Sequence, residues 1–204
     1  MGRSPVANKF AGFVFAILAG FWPKVPMAED QWKRTGNRFL LWKGPEAEIA
    51  GVPFRMPVVD EYVRPVVLTP EVPEVSIPIG RDCARLHILG QVTFPTGFPI
   101  TGERGSVAAT YTLSYAGGKE QELPLRNGIE AAQANLIYAA TRINPIATAA
   151  QRALTYVKDV VREQYQVLLW SVPAERGKIE SLRCKLRGDQ PPLALFAITT
   201  EQAR

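Results

Sequence analysis

The chain of 204 residues contains few of the side chains on which most enzyme chemistry depends, since it has one histidine and two cysteines. That number leaves too few ligands for a four-coordinate Cys/His zinc site. The sequence also has no acidic Asp-x-Asp-x-Asp loop of the kind that holds calcium. We therefore predict no metal and no cofactor, and a histidine-based triad would have to rest on His87 alone.

Sequence motifs of the common catalytic classes are also missing. There is no Gly-x-Ser-x-Gly elbow, P-loop or dinucleotide fingerprint in the sequence. His87 lies inside the apolar run Leu86–Leu89, which is typical of a packed or hydrogen-bonded core residue. We interpret the chain as non-catalytic. The alternative is a glycoside hydrolase, whose two carboxylates would come from Asp60, Glu61, Glu130, Asp159 and Glu163.

Residues 1–28 have the pattern of a secretory signal peptide. Arg3 and Lys9 precede an uncharged run, Phe10–Trp22, which is shorter than the roughly 20 apolar residues that span a bilayer. We expect cleavage after Ala28, which leaves residues 29–204 as one domain in a secreted, periplasmic or cell-envelope protein. The alternative is an uncleaved anchor or a buried N-terminal helix, and only a retained segment would bring the chain to a membrane.

The export prediction changes how the charge and the cysteines of the chain are interpreted. Removing residues 1–28 lowers the formal net charge from +5 to +2, and no Lys/Arg run remains, so we expect no nucleic-acid partner. Cys83 and Cys184 form an even pair in a chain that would meet an oxidising compartment. The sequence leaves two alternatives open, a disulfide between them or two unpaired thiols.

Short apolar or alternating runs separated by Gly and Pro dominate residues 29–204, which indicates β-structure. Pro65 favours an edge position for its strand, because proline cannot donate a ladder bond. Eight or nine strands in one domain predict an all-β fold, a two-sheet antiparallel β-sandwich of jelly-roll type with minor helical turns. The predicted strands are 38–42, 63–68, 75–79, 84–89, 107–115, 119–125, 165–170, 179–186 and 193–199.

Several of these segments, taken in order, resemble segments of a known domain family. The chain resembles the galactose-binding-like β-sandwich domains of secreted bacterial proteins, a group that holds many carbohydrate-binding modules. The resemblance covers most of residues 45–200 and consists mainly of strand and turn signals. It departs at Gly117-Gly118, where such domains often have Asp-Gly. The segments are 51–54, 86–90, 107–115, 123–128, 179–182 and 196–199.

Residues 145–165 give two conflicting signals. Apolar residues recur there at near-helical spacing, which favours an amphipathic helix. The resemblance instead implies an extended segment with a turn near Lys158-Asp159. We expect a short helical turn around Ile146–Arg152 followed by a strand, and a continuous helix through Glu163 is the alternative.

The resemblance also implies where a ligand would bind. Sandwich domains of this kind stack a sugar ring on an aromatic side chain and bind its hydroxyls with polar side chains on nearby loops. The chain could instead use the phenylalanines to plug the sandwich end, and Asn127 as a turn residue. We predict a non-catalytic binding module for carbohydrate or another surface ligand; alternatively, the chain is a structural subunit of a bacterial envelope complex. The candidate ligand-binding residues are Phe94, Phe98, Asn127, Glu130, Tyr138 and Arg142.

Overall fold

A computed structural model describes residues 13–15, 45–56, 58–59, 62–63, 65–93, 103–134, 147–159, 163–188 and 190–202. Within these ranges the chain forms β-strands and no helix. The strands are β1 (Phe13–Phe15), β2 (Glu46–Ile49), β3 (Val52–Arg55), β4 (Val58–Val59), β5 (Tyr62–Val63), β6 (Val66–Leu68), β7 (Glu74–Asp82), β8 (Arg85–Thr93), β9 (Val107–Tyr115), β10 (Glu120–Arg126), β11 (Ala132–Gln133), β12 (Gln151–Asp159), β13 (Glu163–Pro173), β14 (Lys178–Leu186) and β15 (Leu193–Glu201).

Two sheets contain most of these strands. The larger has the order β1-β15-β8-β13-β12, with β6 beside β15 and β11 beside β8. The smaller has the order β10-β9-β14-β7, and the hairpins β2–β3 and β4–β5 pair separately. All these pairs are antiparallel except the short β11–β8 pair. The predicted all-β, antiparallel class is therefore confirmed.

An apolar core joins the two sheets in a sandwich-like arrangement. Leu86 and Ile88 of β8 contribute to it from the larger sheet, and Tyr111 and Leu113 of β9 from the smaller. Side chains alternate in a strand, so the i, i+2 spacing places the apolar residues of β9 on one face. The predicted strand 107–115 matches β9 residue for residue.

A second core covers the opposite face of the larger sheet. There Leu89 and Phe196 pack with Val52 and Phe54 of the β2–β3 hairpin. Strands β8 and β15 are thus buried on both faces, which explains why their sequences are almost continuously apolar rather than alternating. This hairpin was not among the predicted strands.

Turns and prolines fit the outer strands of the smaller sheet. Gly117 and Gly118 join β9 to β10 with φ of 89° and 84°, values that glycine adopts without steric cost. Pro78 lies in β7 and Pro124 in β10, the two outermost strands of this sheet. A proline there removes no central ladder bond.

The expectation for residues 145–165 was half right. Residues 148–150 are bends, and β12 begins at Gln151, so both the helical turn and the continuous helix are wrong for the described residues. The extended conformation is confirmed, because β12 pairs with β13 from Gln151↔Leu169 to Asp159↔Glu163, and Lys158 and Asp159 belong to this strand rather than to a turn. Ladder pairing outweighs the helical spacing, which is a weak local preference.

Other differences concern the N-terminal half. The predicted strand 63–68 is interrupted at Pro65, and only its second part, β6, joins the larger sheet. Strand β1 lies in the apolar run assigned to the leader and pairs with Thr199–Glu201 of β15. The cleavage site after Ala28 and the predicted strand 38–42 lie outside the described residues. No helix in the described ranges is long and apolar enough to cross a membrane.

Candidate functional site

The loops before β9 and after β10 meet at one end of the sandwich. Asn127 accepts a backbone bond from Gly105 at 2.8 Å and donates its own N–H to Ser106 O at 2.8 Å. Its side-chain amide lies 3.4 Å from Glu103 O. The strand end Thr93 is joined to Ala134 by a 3.0 Å backbone bond. The described residues that flank segments 94–102 and 135–146 therefore lie at this end.

The sequence-predicted ligand residues divide into two groups. Asn127 is half-buried at the loop end, and Glu103 and Arg104 beside it are exposed. Phe94, Phe98, Tyr138 and Arg142 lie outside the described residues. Of the six candidates, the structure therefore brings Asn127 and Glu130 to one turn, and the position of the other four stays a prediction.

Glu130 has a structural role in that turn. Its carboxylate is buried, and Oε2 accepts the backbone N–H of Arg126 at 2.9 Å and its Nε–H at 3.1 Å. The Arg126 Nη2 donates to the other carboxylate oxygen. Both oxygens are thus used within the turn. This arrangement fits neither a ligand contact nor the carboxylic acid of a hydrolase.

The two cysteines are free and buried, which is the second of the alternatives left open by the sequence. Cys184 pairs with Val75 at the beginning of β7, whereas Cys83 follows the end of that strand. The extended chain between Val75 and Cys83 spans about 25 Å at roughly 3.3 Å per residue. A disulfide needs Cα atoms within about 7 Å, so this fold does not allow the pair to bond.

His87 lies in a polar environment within the larger sheet. It is buried in β8, as the sequence predicts, and both ring nitrogens have partners. Nδ1 lies 2.8 Å from Ser171 Oγ on β13, and Nε2 lies 3.2 Å from Glu201 Oε2 on β15. Burial lowers the pKa of His87, and the nearby Glu201 partly opposes that shift. The side chain is therefore neutral at pH 7.

Nothing in the sequence points to Ser171 or Glu201. They lie just beyond the C-terminal ends of the predicted strands 165–170 and 193–199, where nothing local marks them. They meet His87 only through sheet register, because Ser171 is its partner across β13–β8 and Thr199 its partner across β15–β8. Register between strands so distant in sequence is not readable from composition or spacing.

Among the residues that the structure describes, no three His, Cys, Asp or Glu side chains are grouped as metal ligands would be. No protein-family model matches the chain, and no curated protein sequence matches it.

Proposed function

We propose that this chain is an exported β-sandwich binding module that holds carbohydrate or another hydroxyl-rich surface ligand at its loop end. In this proposal residues 1–28 direct export, and the sandwich is a jelly roll of the galactose-binding-like kind. The protein then acts in the periplasm, at the cell envelope or outside the cell. Binding requires no cofactor.

One observation supports the location of the site. The hydrogen bonds of Asn127 to the loop before β9, together with the Ala134–Thr93 bond, bring together the described residues that flank the two candidate segments 94–102 and 135–146. Phe94 directly follows Thr93 in the sequence, and the proposal brings its aromatic side chain to the polar group of Asn127. An aromatic face beside polar side chains is the combination that sugar recognition needs.

Polar side chains near Asn127 add hydrogen-bonding capacity without a large net charge. Glu103 and Arg104 are exposed next to it, and they carry opposite charges. Hydroxyl groups both donate and accept, so a rim with amide, carboxylate and guanidinium groups suits a neutral polyhydroxy ligand. Glu130 supports this site indirectly, because it holds the turn that carries Asn127.

A glycan array probed with the labelled full chain tests the proposal. We expect binding to a subset of glycans, lost in the triple variant Phe94→Ala/Phe98→Ala/Arg142→Ala. A matched control is Lys178→Ala, which removes an exposed cation at the opposite end of the sandwich and should leave binding unchanged.

Two results would contradict the proposal. One is a full chain that binds no glycan, which would favour the structural envelope subunit instead. The other is a folded triple variant that binds as well as the unaltered chain, which would move the site away from these loops.

A further inference from the structure

Ser171, His87 and Glu201 lie in line across three adjacent strands of the larger sheet. Strand β8 runs between β13 and β15, so His87 has a neighbour on each side. Ser171 Oγ is 2.8 Å from Nδ1, and Glu201 Oε2 is 3.2 Å from Nε2. A hydroxyl, an imidazole and a carboxylate are thus connected by two successive hydrogen bonds.

The protonation states follow from what each group can donate. An ionised Glu201 carboxylate only accepts, so Nε2 of the imidazole carries the hydrogen and donates it. Nδ1 of a neutral ring then has a free lone pair, which accepts the Ser171 hydroxyl hydrogen. This is the order of a nucleophile, a general base and an orienting carboxylate.

Ser171, His87 and Glu201 differ in their exposure to solvent. Ser171 is exposed, whereas the His87 ring is buried and the Glu201 side chain is 34% accessible. Ser171 therefore lies at the protein surface, where a reagent in solution can approach it, while the base beside it is held in place by its two partners. Fixed geometry of this kind is what proton transfer to a base requires.

The backbone of Ser171 supplies a further donor. The N–H groups along an antiparallel strand point alternately to its two sides. Ala174 donates its N–H to Ala84 O at 3.0 Å, which is on the β8 side, so the N–H of Ser171, three residues earlier, points away from β8. On that side, within the part of the chain that the structure describes, the ladder with β12 begins at Gln151 opposite Leu169, before Ser171 is reached. The Ser171 N–H can then stabilise negative charge that develops on the carbonyl oxygen of a substrate.

We propose that Ser171 is a nucleophilic serine that accepts the acyl group of a carboxylic ester, with His87 as general base and Glu201 as the residue that positions it. The serine oxygen bonds to the ester carbonyl carbon as its proton passes to His87 Nδ1. The bond to the leaving alcohol breaks, and the alcohol oxygen takes that proton. Water then attacks the acyl-serine by the same route and releases the acid. This activity is independent of the proposed glycan binding.

A fluorophosphonate probe tests the nucleophile directly, since the serine oxygen displaces fluoride from phosphorus. Intact mass and peptide mapping of the full chain should give one adduct, at Ser171. The variant Ser171→Ala should give none, and His87→Gln should label at least about 100-fold more slowly. Glu201→Gln should also slow labelling. The control Ser114→Ala, whose hydroxyl lies near Glu120 rather than a histidine, should label normally.

A full chain without an adduct at Ser171 would overturn the proposal, and so would labelling of Glu201→Gln at the unaltered rate. Circular dichroism must show each variant folded. If His87→Gln does not fold, Ser171→Ala and Glu201→Gln decide the question, because their side chains are accessible. Hydrolysis of p-nitrophenyl acetate by the full chain, lost in Ser171→Ala, would establish turnover. Loop variants that abolish glycan binding should not change labelling, so the two proposals fail separately.

Discussion

The α-carbon of Gly90 faces the backbone of Ala194 so closely that a methyl group on it would lie 2.6 Å from the Ala194 carbonyl oxygen. Gly90 also has a φ of 147°, which L side chains rarely adopt. The adjoining Gln91 has a φ of 50°, and the β15–β8 register shifts at this point. The central strand is therefore bent where it passes β15.

We expect Gly90→Ala to destabilise the fold by on the order of 3 kcal/mol, because both the backbone conformation and the contact with β15 become unfavourable. Urea unfolding followed by circular dichroism measures the change. Gly188→Ala is the matched control, since nothing lies within 4 Å of the added carbon. Equal unfolding midpoints for the two variants would contradict the expected strain.

Neither cysteine should react with thiol reagents in the folded protein. Burial raises the pKa of Cys83 to about 11, and burial also raises the pKa of Cys184 well above its ordinary value. Thiolate is the reactive form, so little is present at pH 8. Iodoacetamide should leave the native chain unmodified and alkylate both thiols in guanidinium chloride. A mass lower by two hydrogen atoms before reduction would instead indicate a disulfide.

Stability should fall as the pH decreases below about 6.5. Burial lowers the pKa of His87 in the folded state, against the opposing effect of Glu201 and with the help of Arg85. The unfolded chain then binds more protons than the folded chain in this pH range, so acid favours unfolding. Urea midpoints at pH 7.5 and 5.5 measure the loss. In His87→Gln the loss should be smaller, and an identical pH dependence would contradict the assignment.

Glu130→Gln should destabilise the turn at the loop end by about 1–3 kcal/mol. The buried carboxylate accepts both a backbone and a side-chain bond from Arg126, and a neutral amide replaces them only in part. Thermal unfolding measures the cost. Glu122→Gln, in the strand β10 that precedes this turn, is exposed and should change stability by less than about 0.5 kcal/mol. Similar effects at both positions would argue against the structural role of Glu130.

Tyr111 and Tyr115 should respond oppositely to replacement by phenylalanine. Among the described residues, the buried Tyr111 hydroxyl has a weak contact with the Gln91 side chain and no hydrogen bond of normal geometry, so Tyr111→Phe should stabilise the fold by up to about 1 kcal/mol. The Tyr115 hydroxyl donates to Gln121 Oε1 at 2.7 Å and accepts the Glu175 N–H at 3.0 Å. Tyr115→Phe should therefore destabilise it. Destabilisation by Tyr111→Phe would indicate that ordered water binds its hydroxyl.

Local signals predicted the parts of the fold that depend on neighbouring residues. The alternation of apolar residues predicted β9, and the Gly117-Gly118 turn predicted that the chain returns as its partner strand β10. At β12 the spacing of apolar residues favoured a helix, but pairing with β13 determined the structure. Local preferences are weak compared with a complete ladder, so such errors are expected where a strand also has helical periodicity.

The polar cluster at His87 could not be predicted in the same way. His87 was correctly placed in the core, but its partners are 84 and 114 residues away in sequence. They meet it because three strands align in register, and a shift of one residue in either pairing would turn a partner to the opposite face. The sequence therefore identified the histidine and not its chemistry.

The prolines of β7 and β10 have a consequence for behaviour at high concentration. In the part of the chain that the structure describes, β7 and β10 are the edge strands of the smaller sheet. Each is interrupted near its middle by a proline, which has no N–H, so neither offers an unbroken template for another chain. The growth of fibrils by pairing of edge strands between molecules is thereby hindered. We therefore expect the smaller sheet to resist amyloid-like extension at both of its edge strands.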